Sequence, residues 1–221
     1  MNFNLLKIPS FTQYKYAWAE SSENANISDD YPKCPKCQRA IGHRFWLPPF
    51  DIIIKQPKNI GDFVGGVIGV DLIVSENFKT KYEASGLTGI DKFFELTVTQ
   101  MGSKKGKNYP LPKLFGVVIQ ITETQIDYEK MNVKWFSKPK DNICTLCCPG
   151  GGSDGGIYES YSSIVVKSDT WTGKDFFIPI NFPGNIMLTM AARTFIEENE
   201  FTNVRISLDK DSKRNIFQLD A

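Results

Sequence analysis

Two stretches of the chain, Leu-Ile-Val-Ser-Glu-Asn-Phe at residues 72–78 and Ile-Met-Leu-Thr-Met-Ala-Ala at residues 186–192, share one pattern of residue classes. In each stretch, three apolar residues are followed by a serine or threonine, and a hydroxyl at this point suits the N-cap of a helix. The pattern predicts a short strand that leads directly into a helix. We expect the two helices to begin at Glu76 and Met190.

Side-chain spacing indicates which face of each helix is buried. Phe78 and Tyr82 are four residues apart in the first helix, as Ala191 and Phe195 are in the second. Each pair therefore lies on one helix face that can pack against a sheet. Gly86 is placed to end the first helix in a left-handed conformation.

The resemblance between the two stretches extends over residues 61–90 and 175–204. Outside them, residues 93–99, 116–125 and 162–166 alternate or run apolar with β-branched residues, which predicts strands. The fold class is therefore predicted to be α+β, with mixed sheets and few short helices.

Two Cys-x-x-Cys pairs, Cys34 with Cys37 and Cys144 with Cys147, are separated by 106 residues. This spacing lets two sulfurs of one tight turn bind a single metal ion, and two such turns complete the four-thiolate shell of structural zinc. The entropy of closing a long loop grows slowly with its length, whereas structural zinc supplies roughly 10–16 kcal/mol of apparent binding energy. These four cysteines are therefore the predicted ligands of a structural zinc ion.

Other uses of the cysteines stay open. Cys148 is left over, either as a buried apolar thiol or as an alternative ligand to Cys147. A thioredoxin-like redox pair at Cys34 and Cys37 is less favoured, because no strand-to-helix context surrounds it and a second pair exists. Unliganded structural thiols are a further alternative.

The charge balance disfavours nucleic-acid binding. Lys and Arg number 26 against 25 Asp and Glu, a formal net charge of +1, so the molecule has no overall field that attracts phosphate. Lysines at residues 104–107 are interpreted as a solvated hairpin tip. Lys33, Lys36 and Arg39 flank the first cysteine pair, where they can offset the negative charge of a four-thiolate zinc centre.

The sequence offers little for catalysis. His43 is the single histidine of the chain and is interpreted as a packing or supporting residue near the zinc turn. The glycine-rich residues 148–156 lack the Gly-Lys-Ser/Thr ending of a phosphate-binding loop. We therefore expect a protein that is not an enzyme.

Location follows from what the sequence lacks. Residues 1–20 have no basic start, continuous apolar stretch or cleavage site of an export signal, and residues 63–74, about twelve in number, are too short to cross a bilayer. A cytoplasmic protein with no membrane partner is expected, in which thiols stay reduced.

With these motifs in hand, the chain resembles the double-CXXCG motif family, whose members include immunity proteins that guard bacteria against toxins delivered by related cells. The resemblance rests on the two cysteine pairs, on residues 69–90, and on residues 175–208 with their Phe-Pro-Gly turn. The glycine that follows each pair in the family is replaced here by Gln38 and Cys148. The resemblance implies a non-catalytic protein that neutralises a cognate protein toxin.

Two alternatives accompany this interpretation. Residues 1–221 form either a single immunity-type domain or two similar strand-helix-strand halves, about residues 45–130 and 150–215, joined by a zinc-knuckle site like that of zinc ribbons. The alternative function is a zinc-ribbon nucleic-acid-binding or regulatory protein, which the near-zero net charge disfavours. The sequence does not identify the residues that bind the partner.

Overall fold

The computed structural model describes residues 3–9, 15–55, 59–66, 69–102, 104–105, 111–140, 144–148, 156–161 and 164–207. Over these ranges the chain is mostly β-structure with two short helices, which confirms the predicted α+β class. No helix in the described ranges is long and apolar enough to span a membrane. The elements are β1 (Asn4–Lys7), β2 (Trp18–Ser21), β3 (Asn26–Ile27), β4 (Trp46–Leu47), β5 (Asp51–Lys55), β6 (Phe63–Gly66), β7 (Leu72–Ser75), α1 (Glu76–Ser85), β8 (Ile90–Met101), β9 (Lys104–Lys105), β10 (Leu114–Ile119), β11 (Ile121–Thr122), β12 (Lys134–Ser137), β13 (Ile157–Ser160), β14 (Phe176–Pro179), β15 (Ile186–Leu188), α2 (Met190–Glu198) and β16 (Arg205–Ser207).

Six strands close into a barrel in the order β10-β7-β6-β2-β5-β8, because β8 pairs back onto β10. The first half of β8 pairs with β10 and its second half pairs with β5, so this long strand completes the ring. Closure leaves these six strands without a free edge. Apolar side chains cluster inside, including Ala19, Ile52, Ile54, Ile73 and Val98.

A second sheet of five strands has the order β11-β14-β15-β1-β16. Its β1 lies between β15 and β16 and pairs antiparallel with both. Between this sheet and the barrel lies the largest core cluster, which includes side chains of both helices and of both sheets. The rings of Phe78 in α1 and Phe195 in α2 are 6.0 Å apart, so the helices pack against each other within this core.

Both predicted helix starts are confirmed. Helix α1 begins at Glu76, with the Ser75 hydroxyl accepting a hydrogen bond from the Phe78 amide, and α2 begins at Met190 after the corresponding N-cap Thr189. Hydroxyl side chains at these positions satisfy amides that have no partner inside the helix. Gly86 follows α1 in the left-handed conformation, with φ of 74°, as predicted.

The buried face of α1 is the predicted one, because Phe78 and Tyr82 are both buried. The prediction of the buried pair in α2 was wrong by one residue. Ala192 and Ile196 are buried, Ala191 is exposed, and Phe195 is only partly buried at the edge of the same core. The core-facing stripe runs through residues 192, 195 and 196, the spacing of neighbours on one helix face.

The strand predictions are confirmed in part. Residues 93–99 lie within β8, and residues 116–125 contain the end of β10 and all of β11. The strand predicted at residues 162–166 is wrong for residues 164–166, where Val166 forms only an isolated bridge with Ile126, while residues 162 and 163 lie outside the described residues. Lys104 and Lys105 form β9 in a hairpin with β8, and residues 106 and 107 lie outside the described residues.

The carboxylate of Asp62 joins the start of α1 to the turn that follows α2. One oxygen accepts the hydroxyl of the N-cap Ser75 at 2.7 Å. The other accepts the amide of Thr202 at 3.0 Å and its hydroxyl at 2.9 Å. One side chain therefore contacts two segments that are about 130 residues apart in the chain.

Asp175 makes the corresponding contacts between the start of α2 and the turn that follows α1. One of its oxygens accepts the hydroxyl of Thr189, the N-cap of α2, at 2.8 Å. The other accepts the amide and the hydroxyl of Thr88, in the turn after α1, each at 3.0 Å. The two carboxylates thus form a crossed pair of clamps, in which each helix start is held to the turn that follows the other helix.

Replacing Asp62 by alanine removes the acceptor for the Ser75 and Thr202 donors. We expect the free energy of unfolding, measured by urea denaturation, to fall by about 1–3 kcal/mol because these donors lose their partner. Asp29→Ala is the control, since the Asp29 side chain is fully exposed and pairs only with Arg44 at 3.5 Å. Equal losses in the two variants would contradict a clamp at Asp62.

The clamp also predicts a pH dependence. Burial raises the pKa of Asp62, but donors from Asn77, Thr202 and Ser75 outweigh it and hold the pKa below the ordinary value of 3.8. A carboxylate with a lowered folded-state pKa stabilises the fold above its ordinary pKa and loses that contribution as the pH falls through the folded value. The stability difference between the native protein and Asp62→Asn should shrink below about pH 4 in urea titrations. A difference that stays constant with pH would contradict this.

Candidate metal centre

The first cysteine pair lies in a tight turn at residues 34–38. The amide of Gln38 donates to the carbonyl of Cys34 at 2.9 Å, and the amide of Cys34 donates to the carbonyl of Arg39 at 2.8 Å. Gln38 has a positive φ of 60°. This left-handed conformation favours glycine, which explains why glycine is typical after such a pair. Gln38 adopts it here without that advantage.

The second pair lies in a turn of the same kind at residues 144–148. The amide of Cys148 donates to the carbonyl of Cys144 at 3.2 Å. The two turns contact each other directly, because the ammonium of Lys36 donates to the hydroxyl of Thr145 at 2.7 Å. Segments more than 100 residues apart are thereby brought face to face.

The structure brings the four predicted ligand sulfurs into one group. The Sγ atoms of Cys34 and Cys144 are 3.8 Å apart, and those of Cys37 and Cys147 are 3.5 Å apart. All four sulfurs lie within 4.8 Å of one another. A tetrahedral ion with metal–sulfur bonds of about 2.3 Å needs sulfurs about 3.8 Å apart. The four cysteines therefore have the donor set and approximate spacing that can hold one metal ion.

Burial divides the group into an inner and an outer side. Cys34 and Cys147 are buried, Cys144 is half-buried, and Cys37 is exposed. Apolar side chains, among them Ile41 and Ile180, pack with the inner side. An ion bound here would be shielded from water on one side, while the Cys37 side faces solvent.

One thiol of the group is poised to ionise near neutral pH. Burial raises the pKa of Cys144, but the amides of Cys147 and Leu146 and the neighbouring thiols outweigh it and lower the pKa to about 6. Burial raises the pKa of Cys147 in the same group. A thiolate is the form that binds a metal, so Cys144 is the thiol of this group that would most readily offer a negative ligand to an ion.

Cys148 lies next to the four sulfurs but is held by a different partner. Its Sγ is 3.9 Å from that of Cys147 and accepts a hydrogen bond from the guanidinium of Arg39 at 3.3 Å. Cys148 is buried, as one of the two interpretations of this residue requires. The Arg39 contact gives the fifth sulfur a cationic donor instead of a place among the grouped four.

The basic residues beside the first pair and His43 have separate roles. Lys36 binds Thr145, Arg39 binds Cys148, and the Lys33 ammonium lies over the ring of Tyr31 at 5.5 Å. His43 is exposed and does not belong to the sulfur group. His43, six residues beyond Cys37, lines a cavity together with Asp71.

Sequence reasoning missed Thr145 and Asp71. Thr145 belongs to the second cysteine pair itself, but no local signal indicates that Lys36 reaches it from the first turn. Asp71 stands at the start of a buried strand, and its carboxylate accepts the amide of Ile119 at 2.7 Å. Both contacts depend on tertiary proximity. The glycine-rich residues 149–155 lie outside the described residues.

Comparison with known proteins adds no relative: no protein-family model matches the chain, and no curated protein matches its sequence. The resemblance to the double-CXXCG motif family accordingly stays a prediction that rests on the cysteine spacing and the accompanying motifs.

Paired substitutions test the metal centre. Cys37→Ser removes one ligand from the exposed side, where it perturbs packing least, whereas Cys148→Ser removes the neighbouring sulfur. We expect elemental analysis to find one tightly bound metal ion per chain in the native protein and in Cys148→Ser, and a large loss of metal in Cys37→Ser. Chelation should also lower the urea midpoint of the native protein. Full metal content in Cys37→Ser, or none in the native protein, would contradict the site.

Proposed function

We propose that this protein is a non-enzymatic immunity protein that binds and neutralises a cognate bacterial toxin, and that a zinc ion bound by Cys34, Cys37, Cys144 and Cys147 staples its fold. The observation that carries the zinc assignment is the group of four sulfurs within 4.8 Å of one another. Four thiolates with no open position are typical of structural zinc, and they leave no site for a substrate or an activated water.

Zinc has a clear physical task in this fold. It would join the turn at residues 34–38, ahead of the barrel strand β5, to the turn at residues 144–148, between β12 and β13. Its free energy of binding would stabilise the folded chain by mass action, because the unfolded chain does not hold the four sulfurs together. The rigid surface that results is what a tight inhibitor needs.

The duplicated arrangement belongs to the same proposal. We propose that about residues 45–130, with α1, and about residues 150–215, with α2, are similar strand-helix-strand halves joined by the zinc staple. The crossed clamps of Asp62 and Asp175 support this, since each accepts a helix-cap hydroxyl and the donors of a distant turn.

The surroundings of His43 support a binding protein over an enzyme. Nucleophile–base pairs of the Ser-His or Cys-His kind need an imidazole within hydrogen-bond reach, and the chain has a single histidine. His43 lines two cavities, and their described lining residues include no serine, threonine or cysteine. Among their described lining residues, these two cavities therefore hold no Ser-His or Cys-His pair.

An exposed apolar pair supports a protein partner. On the two-stranded sheet β12–β13, Phe136 is 78% exposed and Ile157 is 56% exposed. Their neighbours Trp135 and Tyr158 instead pack together inward, with ring centroids 6.5 Å apart. Large exposed aromatic and aliphatic side chains on the two strands of one small sheet are typical of interaction surfaces. The toxin as the specific partner rests on the resemblance to the double-CXXCG motif family.

Capture and inhibition test the proposal together. The tagged protein should retain a toxin from the native cell, and purified protein should abolish that toxin's activity at a stoichiometric ratio. Phe136→Asp should weaken capture by about tenfold or more, because an apolar anchor becomes a desolvated charge. Leu111→Asp is the matched control, at an exposed apolar residue on another segment.

Two outcomes would overturn the proposed function. One is a captured toxin that stays fully active with the protein bound in excess. The other is tight binding to DNA or RNA that weakens steeply with salt, which would favour the zinc-ribbon nucleic-acid-binding alternative.

A further inference from the structure

A cleft lies between the loop that follows the first cysteine turn and the wall of the barrel. It has a volume of about 350 Å³ and is lined by His43, Arg44 and Phe45 on the loop side and by Asp71 on the barrel side. Two adjoining cavities, of about 330 and 280 Å³, are also lined by Asp71. This single residue therefore lines all three cavities, and the cleft itself is in the size range of small-ligand sites.

The fold gives a hydrogen-bond partner to only one of the two Asp71 carboxylate oxygens among the described residues. One oxygen accepts the amide of Ile119 at 2.7 Å, at the point where the pairing of β10 with β8 shifts register between Val118 and Ile119. The other oxygen accepts no hydrogen bond from the described residues, and Asp71 lines the cleft. Burial raises the pKa of Asp71, with the Ile119 amide and His43 opposing it. The ionised carboxylate is thus under-solvated where it stands.

The charges that face the cleft favour a cation. Asp91 adds a second carboxylate to its lining. Arg44 adds one positive charge, but its guanidinium lies 3.5 Å from the carboxylate of Asp29 outside the lining. The lining therefore holds two carboxylates, those of Asp71 and Asp91, and one guanidinium that already lies beside a carboxylate outside the cleft. A cation entering the cleft would gain the Coulomb energy of a poorly hydrated carboxylate.

The walls of the cleft indicate which cation fits. The ring of Phe45 is 45% exposed at its rim, and the side chains of Val70 and Ile121 are among its apolar lining. A guanidinium is planar, is weakly hydrated compared with an ammonium, and stacks on aromatic rings while it donates to a carboxylate. An ammonium lacks the flat apolar faces that these walls complement.

We propose that this cleft is a guanidinium-binding site, in which Asp71 accepts hydrogen bonds from the cation and Phe45 stacks on it. An arginine side chain of a protein partner and a free alkylguanidine share this chemistry. The site goes beyond the proposed toxin neutralisation and does not depend on it, because it follows from the cleft alone.

Ethylguanidinium is the simplest probe. Its binding is measured in NMR titrations through the backbone amide resonances of the full-length protein. We expect saturable shifts at Ile119, Phe45 and neighbouring cleft residues, and no such shifts with N-ethylurea, its neutral analogue. Asp71→Asn keeps an oxygen for the Ile119 amide but loses the charge, and it should weaken binding about tenfold or more. Asp169→Asn is the matched control, because Asp169 is exposed and does not line the cleft.

A second variant guards against a misfolded Asp71→Asn protein. Phe45→Leu keeps an apolar side chain at the rim but removes the stacking surface, so it should weaken ethylguanidinium binding and leave the spectrum otherwise native. Equal shifts with N-ethylurea, unchanged affinity in a folded Asp71→Asn variant, or no saturable shift at all would each overturn the proposal.

Two larger probes distinguish the sources of the guanidinium. N-acetylarginine methylamide imitates an arginine within a protein segment, whereas agmatine is a free alkylguanidine with a second cationic end. Tighter binding of the first supports a protein arginine, and tighter binding of the second supports a small-molecule ligand. Failure of both probes would overturn the guanidinium site, while toxin capture by the protein would be unaffected.

Discussion

The fold depends on two carboxylates that each hold segments from distant parts of the chain. Asp62 and Asp175 both accept the hydroxyl that caps a helix start, and both use their second oxygen for the turn that follows the other helix. The clamps couple the positions of the two helices, because each one includes residues of both regions. The aromatic core between the barrel and the second sheet closes around this arrangement, with Phe78 and Phe195 in contact across it. The hydrogen bonds of the clamps are directional and orient the two helices, whereas burial of the apolar core supplies most of the free energy of folding.

Local chemistry predicted the parts of the fold that local residues determine. The helix starts, their hydroxyl caps and the left-handed Gly86 follow from side chains within one helical turn. The error in α2 has the same origin, since Ala191 and Ala192 are chemically alike and only the core decides which one is buried. The closure of the barrel by β8 onto β10 was beyond sequence reasoning, because strand pairing at a distance leaves little local trace.

The same division applies to the cysteine site. The spacing within each pair predicted which sulfurs can share an ion, and all four lie together. The role of Arg39 was foreseen only as a neighbouring charge, and its actual partner, the sulfur of Cys148, is set by how the two turns face each other. Asp71 could not be identified from the sequence, because an acidic residue before a strand is common. The three cavities that it lines are formed only by the tertiary fold.

The position of β1 in the second sheet has a consequence for biosynthesis. This strand, at residues 4–7, pairs with β15 on one side and with β16 on the other. A ribosome releases residues 4–7 long before it has made residues 186–207, so β1 waits without its partners while the barrel strands emerge. The barrel can form during translation as soon as residues 18–119 have been made, but the second sheet is completed only after residues 205–207 have been made. Leu5 and Leu6 of β1 are buried in the folded protein but exposed until then. They are therefore residues to which a chaperone on the nascent chain would bind.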